Sequence, residues 1–159
     1  MKPLIKICGI ADKDNLIQLT KIEKIDFLGF IFYEHSLRNA TIDFVNSISH
    51  VDFKNKRPVC VYVNADKEFI EETSSYFVNP ILQFHGDETN TFCQSFKKDF
   101  WKVIRVKDSD SIKLVTDYPD ASGILFENYE TGIYGGTGNS FNWNLMNNIK
   151  DLDIKIILS

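Results

Sequence analysis

Apolar positions along the chain fall into short runs: "PLIKIC" (3–8), "DFLGFIF" (26–32), "RPVCVYV" (57–63), "PILQF" (80–84), "WKVIRV" (101–106), "GILFE" (123–127) and "IKIIL" (154–158). They are rich in Ile, Val and Phe, which suit a pleated, buried surface, and their length suits strands. Between the runs the period changes to that of a helix, near 12–22, 41–51, 66–77, 89–98, 109–116 and 141–149. "KDNLIQLTKIEKI" places Leu16, Leu19 and Ile22 at helical spacing. "ADKEFIEETSSYF" places Phe69, Ile70 and Tyr76 on one side, with acids in the first turn where the helix dipole favours them. Strand and helix thus alternate six times and a seventh strand follows, the pattern of a parallel sheet with helical crossovers.

An open doubly wound sheet and a (β/α)8 barrel both satisfy that alternation. Seven strands are many for a small open sheet and one too few for a barrel, which usually needs about 200 residues or more. The placement of unusual residues helps to choose. Cys8-Gly9, Ser36 to Arg38, His85-Gly86-Asp87, Glu127 and Gly135 to Gly138 all follow the C-terminal ends of runs. Chemistry spread over several strand ends is the habit of a barrel, whereas a doubly wound sheet centres its site on one crevice. The expected fold is therefore α/β, of the (β/α)8 barrel type. It is incomplete, with about six βα units and a seventh strand in one domain over 1–159.

Composition narrows the function. The 159 residues are 43% hydrophobic, enough for a proper core, and 18 basic against 22 acidic residues leave a net charge of −4. Scattered lysines and mild acidity argue against nucleic acid or a membrane surface as partner. Cys8, Cys60 and Cys93 are odd in number and widely spaced. That disfavours a disulfide framework or a zinc site and fits reduced thiols in the cytoplasm. The N-terminal "MKPLIKICGIADKD" is read as neither a signal peptide nor a membrane span.

Each candidate residue has a plain alternative. Cys8 ends a strand before Gly9, which permits a sharp turn, but a lone cysteine is also a small buried hydrophobe. Arg38 offers a bidentate fork for a carboxylate or phosphate, or it is a surface arginine. In "QFHGDE", His85 can bind substrate or move protons, while Asp87 can cap the next helix and hold it. Glu127 is a carboxylate after an apolar strand, and burial favours the protonated form that a general acid needs. Gly135, Gly136, Thr137 and Gly138 run into a helix start at Asn139 or Ser140, where backbone N–H groups can cradle a phosphate; such glycines also serve plain turns.

Taken together and in order, "KICGI", "DFLGFIFYEHSLR", "VCVYVN", "LQFHGDE" and "YGGTGNSFNW" resemble the phosphoribosylanthranilate isomerase family of tryptophan biosynthesis, over nearly the whole chain. The resemblance implies a (β/α)8 barrel and an Amadori rearrangement of N-(5′-phosphoribosyl)anthranilate to an open-chain 1-deoxyribulose phosphate, without cofactor or metal. It makes Cys8 the general base that takes the proton from ribose C2. A free thiol titrates at about 8.5, so that role calls for surroundings that favour the thiolate. It makes Glu127, in place of the family aspartate, the general acid at the ring oxygen. It pairs Arg38 with the anthranilate carboxylate, makes His85 a substrate contact, and puts Gly135, Gly136, Thr137 and Gly138 beside the phosphate.

Several positions depart from the family pattern. Glu127 is one methylene longer than aspartate, and a misplacement of about 1 Å can cost about a hundredfold in rate. Leu37 stands where the family has proline, which is expected to loosen the loop holding Arg38. Asn142 stands where the family has aspartate. "IKIILS" matches the start of the family's seventh strand, whose following glycines, eighth strand and phosphate loops would come after Ser159. Three accounts stay open: a fragment of a longer enzyme, which is favoured because cuts inside a strand are rarely selected; a truncated, impaired remnant that only binds ligand or a partner; and a swapped homo-oligomer whose second chain covers the open edge.

Overall fold

A computed structural model of the chain describes residues 3–129 and 154–158. It divides into two compact units, Met1–Leu82 and Gln83–Ser159.

In the first unit, β1 (Lys6–Cys8), α1 (Lys13–Thr20), β2 (Phe27–Phe32), α2 (Ile42–Ser47), β3 (Arg57–Tyr62) and α3 (Lys67–Ser75) alternate as the hydrophobic pattern predicts. The strands are parallel. Cys8 lies opposite Gly29, and Phe32 opposite Tyr62. Parallel neighbours need a crossover, and each helix supplies one. The core is aromatic: the Phe30 ring lies 4.8 Å from Phe77 and 5.8 Å from Phe53, and Phe32 stacks on Tyr62 at 5.5 Å. The Tyr62 hydroxyl shares a 2.8 Å hydrogen bond with Thr73, so even this buried phenol is satisfied.

Strand β4 (Ile81–Phe84) runs across the division between the units. The second unit continues with α4 (Asn90–Gln94), β5 (Phe100–Val106), α5 (Ser109–Lys113), a short 3-10 helix (Leu114–Asp117), β6 (Gly123–Asn128) and β7 (Ile156–Leu158). Strands β5, β6 and β7 pair in parallel, with Arg105 opposite Glu127 and Phe126 opposite Leu158. Ile104, Val106, Ile124 and Phe126 pack with Ile112 and Val115 of the helical segment. Side chains alternate across a strand, so Arg105 and Glu127 stand on the opposite face, away from α5.

The helices are shorter than their apolar periods suggested. Each starts at a side-chain cap: Asp12, Thr41, Asp66, Thr89 and Asp108 accept from the backbone N–H of Asn15, Phe44, Phe69, Phe92 and Ser111. Thr89, not Asp87, caps α4. Helix α1 stops at Thr20, which leaves Ile22 beyond it and exposed. Helix α3 buries Ile70, Thr73 and Ser74, while Tyr76 at its C-cap is exposed and Phe77 enters the core instead. The helix expected over 141–149 lies outside the described residues. Among the described residues, no helix is long and apolar enough to cross a membrane.

Candidate functional site

Residues of the first unit assemble around the end of β1. Cys8 is half-buried, and its thiol is free. Lys6 lies two residues earlier on the same strand face, and its ammonium donates to the Cys8 sulfur at 3.1 Å. Gly9 then turns the chain with φ of +82°, a left-handed value that favours glycine. Its N–H and that of Ile10 both donate to the Gly29 carbonyl at 3.0 Å. The Gly9 site has a second reason to lack a side chain: a Cβ there would sit 2.8 Å from the Arg38 Cδ and guanidinium.

Arg38 is brought to Cys8 by the segment after β2. Its guanidinium donates to the Cys8 carbonyl at 3.2 Å. Leu37 in that segment is fully exposed. Hydrogen bonds tie the segment at several points. The Asn39 side chain accepts from Tyr33 N–H at 3.0 Å, Ser36 Oγ accepts from Arg38 N–H at 3.2 Å, and Ala40 N–H donates to Ile31 at 2.7 Å.

Residues of the second unit assemble around the ends of β4 and β6. Glu127, on the face away from α5, is buried, as is most of the His85 ring. His85 Nε2 lies 2.7 Å from Glu127 Oε1, and Gln83 Nε2 lies 3.3 Å from His85 Nδ1. The other carboxyl oxygen, Glu127 Oε2, is buried without a hydrogen-bond partner among the described residues. A buried polar atom in that state is uncommon and marks a site of strain or chemistry.

The turn that carries His85 is anchored from beneath. Lys102 is buried and donates to Gly86 O at 2.5 Å, to Glu88 Oε2 at 3.1 Å and to Phe84 O at 3.4 Å. Glu88 Oε1 accepts from Gly86 N–H, and the Tyr118 hydroxyl donates to the Glu88 carbonyl at 2.9 Å. Glu88 is thus a buried partner of Lys102. Asp87 turns outward and meets Arg105 at 2.8 Å in place of the expected capping role. Burial pushes the Tyr118 phenol up to about 12, which keeps it a donor.

Cys60 and Cys93 are buried hydrophobes, and burial pushes the Cys93 thiol up to about 12. Gly135, Gly136, Thr137 and Gly138 lie outside the described residues. Among the described residues, no group of three or more His, Cys, Asp and Glu side chains could hold a metal ion. Lys6, Gln83, Lys102 and Arg105 were not singled out from the sequence. The signal was present for two of them: Lys6 and Gln83 each precede a candidate by two residues in a strand, which puts them on its face.

Comparison with known proteins gives the family and the fold. The family model described as N-(5′-phosphoribosyl)anthranilate (PRA) isomerase matches residues 5–159. The chain is 37% identical over 147 residues to the N-(5′-phosphoribosyl)anthranilate isomerase of Nitrosomonas europaea, covering 92% of this chain and 69% of that protein. It is 35% identical over 143 residues to the one of Marinomonas sp. (strain MWYL1), covering 89% of this chain and 69% of that protein. The crystal structure of phosphoribosyl anthranilate isomerase from Thermotoga maritima superposes with a TM-score of 0.81 at 26% identity, over 98% of this chain and 76% of that one. The fold is thus α/β of the (β/α)8 barrel type, and seven of its strands are present among the described residues. With the ordered motifs, the fold and a match over nearly the full chain in agreement, this chain belongs to the N-(5′-phosphoribosyl)anthranilate isomerase family.

Proposed function

We infer that the chain is an isomerase of tryptophan biosynthesis that converts N-(5′-phosphoribosyl)anthranilate to 1-(2-carboxyphenylamino)-1-deoxyribulose 5-phosphate. It is an intramolecular aldose–ketose isomerisation within one barrel-type domain, and we place it in the cytoplasm. Glu127 delivers a proton to the ring oxygen as the C1–O bond breaks, and the anilino nitrogen forms a double bond to C1. The Cys8 thiolate then takes the proton from C2, and the electrons of that C–H bond make the enolamine that becomes the ketone.

The observation that carries this reading is the buried His85–Glu127 contact of 2.7 Å, which fixes a carboxyl group at the end of β6. The longer side chain of glutamate is held by His85. Arg38 supports the other half. A substrate whose carboxylate meets a guanidinium already bonded to the Cys8 carbonyl brings its attached sugar to the thiol. His85 is the substrate contact beside the acid. Gly135, Gly136, Thr137 and Gly138 are assigned to the phosphate side on their sequence alone.

Glu127→Gln tests the acid. It keeps the shape and removes the transferable proton, so kcat should fall by about a hundredfold or more. Binding of a reduced product analogue should be retained. Retained binding with no turnover in the unaltered chain would instead make it a ligand-binding remnant.

A further inference from the structure

We propose that Gln83 is a positioning residue for catalysis: it fixes the tautomer of His85, and through it decides which oxygen of Glu127 carries the transferable proton. The proposal rests on Glu127 being the general acid.

The logic follows from what each atom can do. Gln83 presents its amide nitrogen to His85 Nδ1 at 3.3 Å. An amide NH2 only donates, so Nδ1 must accept. A neutral imidazole that accepts at Nδ1 carries its hydrogen at Nε2. That Nε2 is 2.7 Å from Glu127 Oε1, so the histidine donates and Oε1 accepts. An oxygen that accepts from Nε2–H is not the one that carries the acid proton. The proton therefore belongs to Oε2, the buried oxygen with no partner among the described residues.

The arrangement also serves the step after transfer. When Oε2–H gives its proton to the sugar oxygen, the O–H bond breaks and the carboxylate keeps the electron pair. His85 Nε2–H already points at that carboxylate and holds its charge without moving. If the ring carried its hydrogen at Nδ1 instead, Nε2 would accept from Glu127, and the acid proton would be spent on the histidine.

Gln83→Met and Gln83→Glu separate these states at nearly constant volume. The first removes the donor, and the second sets an acceptor against Nδ1. Long-range ¹H–¹⁵N NMR on labelled protein reads the tautomer of His85, assigned by the signal that His85→Asn removes. The expected result is an Nε2–H tautomer in the unaltered chain, and loss of that uniform state in both variants. With it, kcat should fall about tenfold, part of what a positioned acid supplies, at little change in KM. Gln83→Glu should also shift the pH profile of kcat. An Nδ1–H tautomer in the unaltered chain would overturn the proposal, and so would an unchanged tautomer and kcat in Gln83→Met. Undiminished turnover in Glu127→Gln would overturn the acid assignment, and the proton placement with it, while a confirmed Nε2–H tautomer would still show the Gln83–His85 bond.

Discussion

Cys8 and Gly29 face each other in register on the parallel strands β1 and β2, and the thiol occupies the space that a side chain at residue 29 would need. A Cβ built there would lie 2.9 Å from Cys8 Sγ, 3.0 Å from Cys8 Cα and 3.0 Å from Lys6 Cε. One of those atoms is backbone, so rotation of the thiol alone does not relieve the contact. Gly29→Ala should push β1 from β2 and displace the sulfur. A displacement of about 1 Å at a reacting group costs about a hundredfold in kcat. The overpacking should cost about 1–3 kcal/mol of stability. Steady-state kinetics and denaturant unfolding of the variant check both.

The three thiols should differ sharply in reactivity. Cys8 is half-buried beside the Lys6 ammonium, whereas Cys60 and Cys93 are fully buried. A thiolate is the species that reacts, and burial holds Cys93 as the thiol. Iodoacetamide at neutral pH should therefore label one cysteine in the native protein, Cys8, and all three in denaturant. Peptide mass mapping reads the result, and loss of turnover should follow the labelling of Cys8.

The strand–helix alternation was legible because parallel strands buried on both faces read as nearly continuous apolar runs. Every strand lies within a residue or so of its run, apart from the shorter ends at β1 and β7. Helix ends were not legible from apolar period, since side-chain caps decide where a helix begins. Thr89 shows this: it wins the cap of α4 over Asp87, which Arg105 draws away. For the site, single residues were legible and the pairing between strands was not. Cys8, His85 and Glu127 stand at strand ends, and Arg38 lies in the segment after β2. Lys6–Cys8 and Gln83–His85 join residues two apart in one strand, which the period of a strand places on one face. The His85–Glu127 bond depends on which strand faces meet, and sequence spacing does not carry that across forty-two residues.

The pair beneath the β4 turn should be a stability element. Lys102 and Glu88 are both buried and bonded to each other. Breaking such a pair by removing one partner leaves an uncompensated charge and costs about 3–5 kcal/mol. Lys102→Met should show that loss in urea unfolding, and Lys102→Met with Glu88→Gln should recover part of it. Full stability in the single variant would show that the pair does not hold the turn.

Alkaline pH should destabilise the fold well before it affects ordinary surface groups. Burial raises Cys93 and Tyr118 to about 12 and also raises Tyr62. A group whose folded pKa is raised binds its proton more tightly in the native state. Its contribution is complete below the unfolded pKa, about 9 for the thiol and about 10 for the phenols, and is lost as pH rises toward the folded value. The unfolded chain binds fewer protons in that window, so stability falls with pH. Urea midpoints should decline from about pH 9 upward, and Cys93→Ala should flatten the early part of the decline.

Turnover of phosphoribosylanthranilate by the 159-residue chain, beside its Cys8→Ala variant, tests the central claim most directly. The expected result is steady conversion of substrate to the 1-deoxyribulose phosphate by the unaltered chain. That conversion should vanish in Cys8→Ala while binding of a reduced product analogue is kept. No conversion by the unaltered chain, or undiminished conversion by Cys8→Ala, would contradict it.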